Sequence, residues 1–97
     1  MLKQTQLSSS EQEFFNWLND TMPYLLTLFS ESQAAYIPEA VDSFLSTASE
    51  GECCMCRFAL MVWRHDNDFQ FNPADVDCLV DRELNIIANW FRNPSWP

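Results

Sequence analysis

A chain of 97 residues with 47% hydrophobic and 20% charged residues can build one packed core and is too apolar for intrinsic disorder. Its net charge is −9, from fourteen carboxylates against Lys3, Arg57, Arg64, Arg82 and Arg92, and a surface of that sign repels phosphate, which argues against direct contact with nucleic acid or an anionic membrane. The single glycine, Gly51, excludes a glycine-rich phosphate loop and cannot supply the many tight turns of an all-β fold.

Met1 to Leu7 carry no pattern and read as a frayed terminus. Ser10 and Glu13 then have the spacing of a capping box, so a helix is predicted from about Ser10. Phe15, Leu18, Met22, Leu25 and Phe29 alternate steps of three and four along its apolar stripe, which Phe14 and Leu26 widen. Pro23 lacks an amide donor and crowds the carbonyl four residues back, so the element is either one bent helix to about Ser30 or two short ones. After a connector from Glu31 to Ile37, Pro38 suits the first position of a second helix, with Glu39 facing the positive end of its dipole. Val41, Phe44, Leu45 and Ala48 repeat at helical spacing, and the helix is expected to end near Ser49 with Gly51 as a left-handed cap.

Glu52 to Asp66, ECCMCRFALMVWRHD, is the most apolar run of the chain and is predicted to be a helix covered on several sides. The alternative is a hairpin pairing residues 57–63 with 68–72. Ala, Leu and Met outweigh the single β-branched Val62, and a lone hairpin is marginal in water, which favours the helix. Asp66 to Gln70 form a polar break. Asn72-Pro73 then opens a short helical turn expected to carry Val76, Cys78 and Leu79 inward. A last helix from Asp81 to Arg92 places Leu84, Ile87, Ala88 and Phe91 on one face, Asn93-Pro94 ends it, and residues 95–97 are expected to be a tail. The fold class that results is all-α, one domain over residues 1–97, a bundle of about four helices around the 52–66 helix; the hairpin would make it α+β.

Four residues have the chemistry of zinc ligands: Cys53 and Cys56 in a C-x-x-C pair, His65, and Cys78. Their spacing departs from the two close pairs of common zinc modules, and free cysteine is ordinarily a small buried hydrophobe, so neither metal nor cofactor is expected. The same pair lacks the β-α-β surroundings of a thiol redox centre. Asp66, Asp68, Gln70 and Asp77 fall at positions one, three, five and twelve of a calcium loop, but Phe71 stands where that loop needs glycine. His65, the only histidine, lies near no nucleophile motif and is expected to cap the C-terminal end of the central helix. No catalytic residue is predicted, and the chain is not expected to be an enzyme.

What remains is a surface. Asp66, Asp68, Asp75, Asp77, Asp81 and Glu83 stand against Arg82 alone and should project a negative field, and Trp17, Trp90 and Trp96 lie near helix ends or in the tail. Aromatic anchors beside a charged rim resemble interface hot spots, so Trp90 and Trp96 join the six acids as predicted interaction residues. The leading expectation is a non-enzymatic acidic interaction protein, an inhibitor or adaptor for a basic protein partner. Its sharper form mimics nucleic acid, offering carboxylates where a nucleic-acid-binding protein expects phosphates, as small acidic proteins of mobile elements and phages do. The alternatives are a structural zinc or thiol-dependent protein using Cys53, Cys56, His65 and Cys78, and a helical homodimer sharing its apolar run. With no basic-then-apolar leader and no apolar run of roughly 18–20 residues, a cytoplasmic location with reduced cysteines is expected.

Overall fold

The computed structural model describes residues 7–97; the frayed terminus expected at the start of the chain lies outside them except for Leu7, which is half-buried against the core. Helix α1 spans Ser9–Thr21 and begins two residues before the expected capping box. Ser8, not Ser10, is the cap: its hydroxyl accepts from the Glu11 amide at 3.1 Å while the Glu11 carboxylate accepts from the Ser8 amide at 2.9 Å. Both serines offer the same spacing to an acid, and the earlier one lengthens the helix by a turn's fraction. The helix stops at Pro23 as that residue requires, and the chain restarts as a 3-10 turn over Pro23–Leu28 instead of continuing as one bent helix.

The connector is more ordered than its composition suggests. Phe29–Ser30 (β1) pairs antiparallel with Ala35–Tyr36 (β2), in the register Phe29 to Tyr36 and Ser30 to Ala35. The Ile37 amide extends the pairing by donating to the Leu28 carbonyl at 2.8 Å. The all-α expectation therefore needs correcting: the described residues are mostly helical with a small two-stranded sheet, at a place not foreseen, while the alternative 57–63/68–72 hairpin does not form.

Helix α2, Pro38–Thr47, has Pro38 in its first turn as predicted. The expected left-handed cap at Gly51 is not there. Ser49 instead caps a new helix, α3, Glu50–Arg64, through a complete capping box with Glu52 at 3.2 and 3.1 Å. Gly51 lies inside the first turn of α3, where an added methyl would stand 3.4 Å from the Cys78 carbonyl oxygen, so α3 runs close against the segment that carries Cys78. The left-handed positions fall to Ala34, His65 and Gln70, with φ of 50°, 61° and 61°. His65 ends α3 in that conformation, at the C-terminal end where the sequence places it.

After α3 a 3-10 turn over Pro73–Cys78 is capped by Asn72, whose side chain accepts from the Ala74 amide at 3.0 Å. It carries Leu79 into the core and Val76 partly so, but Cys78 is exposed, against the expectation that it turns inward. Helix α4, Asp81–Arg92, has the predicted bounds and a rotated inner face. Ile86, Ile87 and Trp90 are buried, Ala88 is exposed, and Phe91 is 52% exposed.

The core forms around α3, eight of whose fifteen residues are buried. Helix α1 lies antiparallel to it, Phe14 against Trp63 and Trp17 against Phe58. Helix α4 runs in the same sense as α3, with Glu83 by Gly51 and Trp90 by Phe58. The last residues fold back rather than trailing: Pro97 O and His65 Nε2 are 2.8 Å apart, the Trp90 indole donates to the Ser95 carbonyl at 3.4 Å, and the Ser95 hydroxyl donates to Glu13 at 3.3 Å. The expected tail at 95–97 is thus a strap across the C-terminal ends of α3 and α4.

Candidate interaction site

The eight predicted interaction residues divide between the two ends of α3. Asp66 and Asp68 lie beyond its C-terminus, each 3.0 Å from the Arg64 guanidinium. Arg64 also donates to the Tyr36 hydroxyl at 2.9 Å and sits over the Tyr36 and Phe69 rings. The hydrogen bond from Arg64, with a second from the Asp68 amide, holds the Asp66 carboxyl below the usual range. These two acids are therefore committed to a local clamp that ties β2 to the loop after α3, and contribute less free negative charge than their spacing in the sequence implies.

Asp75, Asp77, Asp81 and Glu83 lie on the segment that packs beside the start of α3, where Glu50 and Glu52 join them. Sequence reasoning missed these last two because it sought the acidic field after the central run, from Asp66 onward, and took Gly51 for the end of the preceding helix. The first-turn acids of α3 and α4 favour the positive ends of those helices, and Glu52 and Glu83 have cap bonds as well, Glu83 accepting from the Val80 amide at 3.1 Å. Among the described residues, the carboxylates of Glu50, Asp75, Asp77 and Asp81 accept no hydrogen bond and belong to no ion pair, and both ion pairs are those of Arg64. Two cations stand nearby without forming an ion pair to them: Arg57 borders the same groove as Glu50, Asp75 and Asp77, and Arg82 neighbours Asp81. Arg82 donates to the Thr21 carbonyl at 2.9 Å, bridging the start of α4 to the end of α1.

Tyr24 is the aromatic residue of this end, partly exposed and stacked on Phe44 at 6.3 Å. Burial pushes its hydroxyl up to about 12, and the Glu83 and Glu52 carboxylates push in the same direction. The tryptophans named from sequence lie elsewhere. Trp90 is 6% exposed and belongs to the core, a correction to its reading as an interface anchor. Trp96 is 46% exposed, but it packs edge-on against Trp90 and His65 at the opposite end of α3 from the free acids. Trp17 is half-buried between Phe14 and Phe58.

The four residues with zinc-ligand chemistry are not gathered. Cys53, Cys54 and Cys78 border one groove, while His65 ends α3 twelve residues after Cys53, about 18 Å along the helix axis. Among the described residues no group of three or more His, Cys, Asp or Glu side chains is placed to hold a metal ion. Cys53 donates weakly to the Leu45 and Ala48 carbonyls at 3.5 and 3.7 Å. Burial pushes the thiol of Cys54 up to about 11 and that of Cys56 up to about 12, so both stay protonated at neutral pH, the opposite of what a ligand or nucleophile needs. The calcium-loop spacing likewise does not close: Asp66 and Asp68 face Arg64, and Asp77 lies in the Pro73–Cys78 turn beside the other end of α3.

Two further features bear on partners. The apolar run proposed as the shared core of a homodimer is covered by its own chain, so no second copy is needed to bury it. Among the described residues no helix is long and apolar enough to cross a membrane. Comparison with protein-family models, with curated proteins and with solved structures gives no match to this chain.

Proposed function

We propose that the protein is a non-enzymatic interaction module whose acidic surface, at the start of α3 and α4, engages a basic segment of a protein partner. One observation carries this reading: Glu50, Asp75, Asp77 and Asp81 share one end of the molecule, and among the described residues none of the four carboxylates is in an ion pair or accepts a hydrogen bond. Cap bonds use Glu52 and Glu83, and the Arg64 clamp uses Asp66 and Asp68. Glu50 and Asp81 face helix N-termini without a cap bond, and Asp75 and Asp77 have neither role in α3 or α4. In this reading the four α-helices are a rigid scaffold, a small bundle held by α3, and the partner is a basic protein, of which a nucleic-acid-binding protein is one kind.

Such an interface works by long-range attraction and is screened by salt, with a Debye length of about 10 Å at 0.1 M. An arginine-rich peptide titrated into the full chain should bind, and its affinity should fall about tenfold or more between roughly 50 and 200 mM salt. Calorimetry or anisotropy checks this. Affinity that does not move with salt contradicts the electrostatic reading.

A further inference from the structure

A groove of about 550 Å³ opens between the end of α2, the first turns of α3 and the Pro73–Cys78 turn. That volume lies within the range of ligand clefts, roughly 300–1,000 Å³. Leu45, Ala48 and Ala74 give it apolar walls, together with the buried Cys53 and Cys54. Glu50, Asp75 and Asp77 add three carboxylates, against one cation, Arg57, which stands on the side shared with a neighbouring depression that reaches Asn67 and Phe71.

The end of α2 adds to the negative field. Its last turn carries no basic residue. The carbonyls of Leu45 and Ala48 meet the Cys53 thiol, a weak donor, at 3.5 and 3.7 Å. Carbonyls left over at a helix C-terminus favour a nearby cation. Carboxylates and carbonyl oxygens beside the apolar side chains of Leu45, Ala48 and Ala74 suit a side chain with an aliphatic stem and a cationic head rich in donors.

Building on the interaction reading above, we infer that this groove receives one arginine side chain of the basic partner. The stem lies along Leu45, Ala48 and Ala74, and the guanidinium serves the carboxylates of Glu50, Asp75 and Asp77. Five N–H donors on a planar head can serve carboxylates and helix-end carbonyls together, where an ammonium has three.

Cys78 is exposed on the groove wall while Cys53 and Cys54 are buried, so its alkylation by iodoacetamide reports occupancy. With an arginine-rich synthetic peptide at about ten times its Kd, about a tenth of the groove stays free and Cys78 alkylation slows about tenfold. The same peptide with citrulline for arginine, alike in shape but uncharged, leaves the rate unchanged. Ala74→Trp fills the groove without altering any charge and weakens peptide binding about tenfold, whereas Glu39→Gln with Asp42→Asn, on the exposed side of α2, weakens it about twofold or less. Thermal melts verify that each variant is folded, and the alkylation experiment needs no variant. Salt-sensitive peptide binding that leaves Cys78 alkylation at its free rate overturns the groove and spares the wider interaction reading; no binding at low salt overturns both. Equal protection by the citrulline peptide also overturns the inference.

Discussion

Phe58→Ala should cost about 3–5 kcal/mol of folding stability, the range for emptying a buried aromatic site. Phe58 is fully buried, and the rings of Trp17, Phe71, Trp90 and Phe91 lie 5.3–5.9 Å from its own. These neighbours come from α1, the loop after α3, and α4, so no single element can move in to fill the space. A domain of this size has a total stability on the order of 5–15 kcal/mol, and the variant should therefore be marginal or unfolded at ambient temperature. Urea unfolding followed by tryptophan fluorescence measures the shift in midpoint. A loss of about 1 kcal/mol or less would show that α3 is not the element on which the others pack.

The second large effect is expected at Trp90, and it separates two uses of an aromatic residue. Trp90 packs edge-on against Phe58, Phe91 and Trp96, with centroids 5.7, 5.2 and 4.8 Å away. Its substitution by alanine should lower stability by about 3–5 kcal/mol. Trp96→Ala, at the exposed end of the same cluster, should cost about 1 kcal/mol, the scale of one aromatic pair. Thermal melts of the two variants compare them. Stability unchanged in Trp90→Ala, with binding of the basic peptide lost, would return Trp90 to the interface that the sequence suggests.

Much of the fold was legible because it follows from local rules. The helical reading of ECCMCRFALMVWRHD rests on length, composition and the absence of β-branched partners, and those properties do decide it. Pro23 and Pro38 mark a break and a start because a missing amide acts the same way in any context. The errors arise where two local solutions are equivalent and tertiary contact chooses between them. Ser8 and Ser10 are both three residues from an acid. The face of α4 is offset from the predicted one by a single residue, about 100° on a helix, because Trp90 was set apart as surface and the stripe was completed with Phe91 instead. The sheet of Phe29–Ser30 with Ala35–Tyr36 is two residues long on each side and leaves no period to detect.

The candidate site was legible in composition and not in arrangement. Six acids close together in sequence look like one field, yet the loop after α3 returns along the whole helix. That path leaves Asp66 and Asp68 with Arg64 and carries Asp75 and Asp77 to the other end. Glu50 enters the set because Ser49 begins α3 sooner than the hydrophobic pattern does. Gly51, taken for a helix end, marks the place where α3 approaches the Cys78 carbonyl closely enough to form one wall of the groove.

The central claim, that the free carboxylates at the start of α3 and α4 form the binding surface, is tested most directly by mapping the basic peptide onto the protein with amide chemical-shift perturbation. Shifts confined to residues 45–57 and 74–83, with His65, Trp96 and the N-terminal half of α1 unmoved, are the predicted result. Shifts centred on Trp90 and Trp96, or spread evenly over the acidic residues of every helix, would contradict it.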